Sequence, residues 1–543
     1  MKRCIFILCI LPFAFCFCTA QTVYNLEIIF QRGTPDTSLR YWGAAIAGVG
    51  DVNGDGYDDV AVGCIRDLGG PGEDTAKVYI FYGSNSFDTI PDLLISDWSS
   101  GPGVGICGGD INGDGVSDIC ITAAGRVYIH FGGNPPSINP DIRFGGRLYE
   151  NYSVIATGDL NGDDTTDLIV GDFWNMDGNG HVNIYKGSAA FDTIPWLRIN
   201  GHDYEKFGMG LASGKDVNGD GFDDLAVGAN GYNPDERGRV YIFYGGAAMD
   251  TIPDWWKDGE GPVNLLGSEG TICFAQDSAG YDKLWFGCEL YPGGYNSNNN
   301  SGKVWLFNGG NPMDTLPDMT IIGPDTFYGL GTSVASGLVN SGNMGDYIAG
   351  AWTDSVMGAI GKSHLWLGSD TPDTALDAWL KGRWFRDCLG VGPTATADVN
   401  GDGKDEIILS NLAADTNNIV VICKYTGPDA VAGEPANNEQ LAINNLLQNS
   451  PNPFKQSTVI KYQLSSPGRV SLMVYNVAGQ LVKTLISGQV GAGQHTVKWD
   501  GRDNIGNKVS SGIYIYRLSA KGGSASGVEA GNKDMTKKLV VLR

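Results

Sequence analysis

Histidine is scarce in this chain: His130, His181, His202, His364 and His495 are the only ones in 543 residues, and they lie apart without metal-ligand spacing. No Ser-His-Asp or Cys-His arrangement accompanies them, so the signatures of triad hydrolases are missing. Positive charge is short as well. Against 61 acidic residues stand 37 Lys and Arg, a formal charge of -24, and nucleic-acid phosphates would repel such a chain. Charged residues make up only 18%, below the roughly 25% of ordinary globular proteins, and much of the acid is gathered in a few short stretches. Past the first twenty residues no segment reaches the ~20 apolar residues of a membrane span, so no transmembrane span is expected in the mature chain. Cysteine is also limiting. Four of the eleven (Cys4, Cys9, Cys16, Cys18) fall in the first twenty residues, and the remaining seven cannot all pair.

What the chain has in abundance is glycine, 80 residues, about twice average usage, which points to many tight turns and strands. It opens on Lys2 and Arg3, an apolar core from Ile5 to about Phe17, and Cys18-Thr19-Ala20 before Gln21. This is the layout of a secretory signal peptide over 1–20. The defining stretch follows at Asp51-Val52-Asn53-Gly54-Asp55-Gly56-Tyr57-Asp58-Asp59. Oxygen-bearing residues at its positions one, three, five and nine (Asp51, Asn53, Asp55, Asp59), with the carbonyl of Tyr57 at seven, match the all-oxygen shell that Ca2+ takes.

The pattern returns four times. The expected ligands are Asp110, Asn112, Asp114, Val116 and Asp118, then Asp159, Asn161, Asp163, Thr165 and Asp167, with Val116 and Thr165 using their carbonyls. The other two sets are Asp216, Asn218, Asp220, Phe222 and Asp224, and Asp398, Asn400, Asp402, Lys404 and Glu406. An EF-hand is excluded, because position twelve holds Val62, Ile121, Val170, Val227 or Leu409 instead of a ligand. Two further copies are degenerate: one begins at Ala275 with Lys283 at position nine, and one begins at Leu338 and keeps Asp346. Neither is expected to bind calcium.

First positions at 51, 110, 159, 216, 275, 338 and 398 are spaced by 49 to 63 residues, enough for a four-stranded sheet in each repeat. The strand after each loop, such as Leu168-Ile169-Val170, is apolar without alternation, as expected if both its faces are buried. Seven such sheets predict an all-β, seven-bladed propeller over 21–427. The last repeat ends at Cys423 without a fourth strand while an orphan strand stands at the N-terminus, so Tyr24 to Phe30 is expected to complete the seventh blade. The recurring Asp-Thr-Ile-Pro phrase (192–195, 250–253) is expected on the outer edge, where Pro is tolerated.

A linker, 428–446, rich in Pro, Ala and Asn, leads to a domain at 447–543. Its short strand-like runs read as an immunoglobulin-like β-sandwich. Cys107 and Cys120 flank the second loop at nearly opposed hairpin positions, where a disulfide or two buried thiols would both fit. Cys273 and Cys288 flank a loop less symmetrically. Trp98, Trp196, Trp255-Trp256 and Trp384-Phe385 are candidates for stacking on sugars or for packing between blades.

Phe207-Gly208, the loop from Asp216 to Asp224 and Gly228-Ala229-Asn230 closely resemble the FG-GAP repeat of integrin alpha-chain propellers and bacterial surface proteins. That resemblance, covering about 41–427, implies structural calcium near one face and ligands meeting other loops. The tail, with Ser450-Pro451-Asn452-Pro453-Phe454, Val474-Tyr475-Asn476, Gly479 and Gly512-Ile513-Tyr514, resembles the C-terminal sorting domain of type IX secretion cargo. It implies the outer-membrane secretion machinery as a partner, and a secreted or surface location in a Gram-negative-type bacterium; an immunoglobulin-like domain without a sorting role is the other reading. The expected function is a non-enzymatic, calcium-stabilised binding or adhesion module for an extracellular glycan or protein. A polysaccharide-degrading enzyme and a structural surface-layer component are the alternatives.

Overall fold

The computed structural model describes residues 23–33, 40–66, 75–99, 104–123, 125–146, 154–173, 178–232, 235–278, 280–292, 300–324, 328–352, 361–369, 372, 374–382, 388–411, 418–427, 445–446, 452, 454–464, 468–476, 481–490, 493–504, 506–522 and 532–542. The leader 1–20 and residues 428–444 of the expected linker lie outside them, whereas the linker's last two residues, Asn445–Leu446, form a strand of the second unit. The described residues form strands and no helix, and so no helix long and apolar enough to cross a membrane. The chain divides into two compact units, Met1–Ala432 and Gly433–Arg543.

In the first unit the described strands form seven antiparallel sheets. The first holds Arg40–Gly50, Asp59–Arg66, Thr75–Phe81 and Leu93–Ser99 in sequence order, an up-and-down arrangement that the next five repeat. Each predicted metal loop connects the first strand of its sheet to the second. Second strands are apolar because both faces are covered: every residue of Asp118–Ala123, Asp167–Asp172, Asp224–Ala229 and Glu406–Asn411 is buried. Neighbouring sheets share apolar clusters. One joins Val49, Ile80 and Ile119 of the first and second sheets; another joins Phe81 and Trp42 of the first to Val420 and Ile422 of the seventh. Clusters of this kind link every successive pair of sheets and return to the start, the architecture of a propeller. First strands approach closely: a Cβ on Gly108 would lie 2.1 Å from the carbonyl oxygen of Val49, a contact that admits only glycine.

The seventh sheet is closed by the N-terminal segment, as its missing strand required. Leu26–Gly33 pairs antiparallel with Ile419–Tyr425, slipping register between Ile28 and Phe30. Two details differ from expectation. The closing strand begins at Leu26, and Val23–Tyr24 instead pairs with Trp379 and Leu380 on the outer strand of the sixth sheet. The Asp-Thr-Ile-Pro phrases sit in the turns before fourth strands and not within them. There Asp88, Asp192, Asp250 and Asp314 accept the N–H two residues on, which fixes the turn and leaves Ile90, Ile194, Ile252 and Leu316 exposed.

In the second unit Asn445–Leu446, Thr458–Leu464 and Gly493–Trp499 form one sheet, and Leu481–Val490, Gly468–Asn476, Gly512–Gly522 and Asn532–Val541 form another. Ile460, Tyr462 and Trp499 of the first sheet pack with Leu472, Tyr516 and Leu539 of the second in one core, so the unit is an immunoglobulin-like sandwich. The predicted strands match it closely. The strand-like runs read from the sequence at 458–464, 469–475, 495–499 and 513–518 are strands here, the last three starting one or two residues earlier.

Candidate metal centres

In an up-and-down sheet, links from strand one to two and from three to four lie at one end, so the five predicted loops share a face. Each loop is built by its own side chains. In the first, Asp51 Oδ1 accepts the N–H groups of Gly54 (2.7 Å) and Asp55 (3.0 Å), and its Oδ2 accepts that of Gly56 (2.7 Å). Asn53 Oδ1 then takes the Asp55 N–H and Asp55 Oδ1 the Tyr57 N–H, so positions one, three and five turn the chain inward together. Asp110, Asp159, Asp216 and Asp398 hold their loops the same way. Position six takes a left-handed backbone, with φ 92° at Gly56. In the third loop Asp164 adopts it at φ 63°, as a short polar side chain can.

Position nine lies deepest. Asp59, Asp118, Asp167 and Asp224 are fully buried and Glu406 is nearly so. Asp59 accepts the N–H of Val52 (2.9 Å) and, across the sheet, that of Gly83 (2.8 Å); Asp118, Asp167 and Asp224 repeat both bonds. Glu406 keeps the first, from Val399, and accepts from the Asn400 amide. Burial pushes the carboxyls of Asp59, Asp118 and Asp224 up to about 7 and that of Asp167 to about 6, with acidic neighbours in each loop adding to the rise. Burial, then Asp402 and Asp398, lift Glu406 to about 8.

Among the described residues no three acidic, histidine or cysteine side chains converge as a closed cage. The donor set nevertheless suits a hard cation. It is all oxygen, the deepest carboxylate is lifted toward neutrality by burial and by other acids, and Asn53, Asn112, Asn161 and Asn218 add buried amides at position three. The carbonyls of Tyr57, Val116, Thr165, Phe222 and Lys404 follow at position seven. Sequence reasoning named these five residues only for their carbonyls; the side chains of two of them, and Tyr281 at position seven of the degenerate fifth loop, also cover the preceding loop. The rings of Tyr57, Phe222 and Tyr281 lie over Gly401, Gly162 and Gly219, where an added Cβ would come within 2.6 Å.

The degenerate loops are satisfied differently. Lys283 is 2% exposed and its Nζ lies 3.0 Å from Asp277 Oδ2, an internal ammonium where the other loops carry a carboxylate. In the sixth loop Asp346 accepts from Val339 N–H, Asn340 Nδ2 and Gly368 N–H. The aromatic candidates divide. Trp255 is buried, with its Nε1 donating to the Asp314 carbonyl; Trp256 is half exposed, and Trp196 lies under Lys186. Trp384 and Phe385 lie outside the described residues, as does the side chain of Trp98. Cys273 stands opposite Trp285, and Cys288 opposite Lys303, so these two cysteines are not partners.

Comparison with known proteins agrees with this architecture. The FG-GAP repeat model matches residues 207–243, an FG-GAP-like repeat model matches 51–121 and 110–170, and the FlgD Ig-like domain model matches 449–524. Integrin alpha-6 of Homo sapiens is 33% identical over 99 residues, 18% of this chain and 8% of the relative. Integrin alpha-PS5 of Drosophila melanogaster is 29% identical over 192 residues, 33% of this chain and 14% of the relative. Integrin alpha-PS2 of the same organism is 47% identical over 53 residues, 10% of this chain and 4% of the relative. The chain thus spans a small part of the length of the relatives it matches. The repeat models fall in the first unit and the Ig-like model in the second, and the integrin alpha likeness agrees with a propeller built of FG-GAP repeats.

Proposed function

We propose that this chain is a seven-bladed propeller whose first, second, third, fourth and seventh loops hold structural calcium, and that it works outside the cell as a non-enzymatic binding module for a glycan or protein. The observation that carries the calcium reading is the buried carboxylate at position nine, placed among other acids in each of the five loops. Calcium would supply there the positive charge that these residues lack. Asp51, Asn53, Asp55 and Asp59, with their counterparts, would hold it, together with the position-seven carbonyls.

The ligand surface is assigned to the opposite end of the sheets, formed by the links from second to third strands and between sheets. Tyr204 and Trp352 project there, 71% and 44% exposed, and Glu289 accepts from Thr332 Oγ1 (2.6 Å) and from the Trp352 indole. A half-exposed indole held by a carboxylate suits recognition of a polar ligand. Export would use the leader, and the immunoglobulin-like unit would serve as a type IX sorting domain engaging the outer-membrane machinery of a Gram-negative-type bacterium. The test is the full chain, with calcium and with chelator, on arrayed glycans and extracellular proteins while the same polymers are assayed for cleavage. Saturable, calcium-dependent retention without products supports the reading, and new reducing ends or unsaturated products overturn it.

A further inference from the structure

The second loop is flanked by the one pair of described cysteines that face each other in register. Val104–Gly109 and Asp118–Ala123 run antiparallel with Cys107 directly opposite Cys120. Directly opposed residues on such strands have Cα atoms about 4.5 to 5.5 Å apart, inside the window a disulfide requires. Both are thiols in this structure. Cys120 is fully buried in the cluster of Ile111, Val127, Leu168 and Tyr185 between the second and third sheets, whereas Cys107 is only partly buried.

We propose that Cys107 and Cys120 are a redox-sensitive pair that closes into a cross-strand disulfide and staples the hairpin carrying the second loop. Cys120 is fully buried whereas Cys107 is partly exposed, so Cys107 is the entry point for an oxidant. With a small-molecule disulfide as oxidant, the Cys107 thiolate attacks one sulfur, forms a mixed disulfide and expels one thiolate. Cys120 then gives up its proton, attacks the Cys107 sulfur and expels the second thiolate. The protein loses two electrons and two protons, and the oxidant becomes two thiols. The consequence reaches beyond one hairpin. The loop between the cysteines donates Ser117 N–H to the Asp51 carbonyl of the first loop, so the staple limits opening at the joint between the two loops.

The test incubates the full reduced chain with oxidised glutathione and maps it by non-reducing digestion and mass spectrometry. The expected result is one linked peptide pair containing Cys107 and Cys120, two hydrogens lighter than the reduced pair, with two fewer titratable thiols and a Tm raised by a few degrees. Cys107→Ser should abolish all three changes, while Cys273→Ser should retain them. Should Cys107→Ser fail to fold, Cys107→Ala at the same partly buried position supplies the control. A lasting glutathione adduct on Cys107 without closure, or linkage through other cysteines in its place, would overturn the proposal.

Discussion

Asp58 and Asp398, 340 residues apart in sequence, are clipped to each other. Asp398 N–H donates to Asp58 Oδ2 and Asp58 N–H donates to the Asp398 carbonyl, each at 3.2 Å. The same reciprocal pair joins Asp159 to Asp223 and Asp216 to Asp282, and Leu338 to Asp405. Between Asp51 and Ser117, and between Asp110 and Thr166, only the backbone half is made. Position eight of one loop therefore holds the first ligand of the preceding loop by its backbone. At Asp58 this happens across the seam between the seventh and first sheets.

Replacing Asp58 by Ala should therefore weaken the seam. Asp398 N–H would lose a charged acceptor at a partly buried site, a loss of ~1–2 kcal/mol by the usual worth of such bonds. Chemical denaturation should show a lower midpoint with an unchanged slope. Equal stability of the variant and the parent would show that the clip contributes nothing.

Phe30 tests closure from the other side. It is buried against Phe81 at 5.3 Å and Phe87 at 5.4 Å between ring centroids, so the N-terminal strand binds the first sheet as well as its own. Phe30→Ala should cost about 3–5 kcal/mol, the range for large aromatic truncations in a core. A loss below ~1 kcal/mol in the same denaturation measurement would mean that the strand is not integral to the ring.

The loops and the need for a closing strand were legible because both are local patterns: a fixed carboxylate spacing, and a last repeat one strand short. The clips were not. Position eight is Asp58, Ser117, Thr166, Asp223, Asp282 or Asp405 in the six loops that make it, and the bond common to them is made by a backbone N–H that no residue type announces. Val23–Tyr24 was missed for a similar reason, since two residues pairing across sheets carry no periodicity. Lys283 could be read as a lost ligand, but its pairing with Asp277 depends on a side chain reaching back along its own loop.

That ion pair predicts a non-additive double mutant. Lys283→Met leaves Asp277, nine-tenths covered, without its cation, and breaking such a pair from one side costs roughly 3–5 kcal/mol. Lys283→Met combined with Asp277→Asn should recover most of that loss in thermal or chemical unfolding. Additive losses in the two single variants would show that the pair does not act as a unit.

Asp346 carries the pH prediction, since no metal is assigned to its loop. Burial raises its carboxyl to about 7 in the folded protein, whereas an unfolded Asp titrates near ~4. Between these values the folded state binds the extra proton, so its stability falls as pH rises from about 4 through 7. Asp346→Asn removes that dependence. In saturating calcium, the stability of the variant relative to the parent should improve between pH 5 and pH 8, by a few kcal/mol at most. A difference independent of pH would mean that Asp346 is ionised throughout.

Calcium stoichiometry discriminates most sharply. The five intact loops belong to the seventh, first, second, third and fourth sheets, a contiguous arc in the ring, while Lys283 and the satisfied Asp346 close off the fifth and sixth. Equilibrium dialysis should find about five ions per chain. Each site should add roughly 2.7 kcal/mol when calcium stands a hundredfold above its dissociation constant, so Tm should climb with calcium and collapse in chelator. Asp216→Ala, which removes a first ligand that also holds its loop through Gly219 and Gly221, should lower the count by one. Binding of seven ions would mean that the ammonium of Lys283 does not stand in for a metal. A Tm indifferent to chelator would mean that backbone N–H groups alone stabilise the buried carboxylates, with position nine protonated instead of metal-bound.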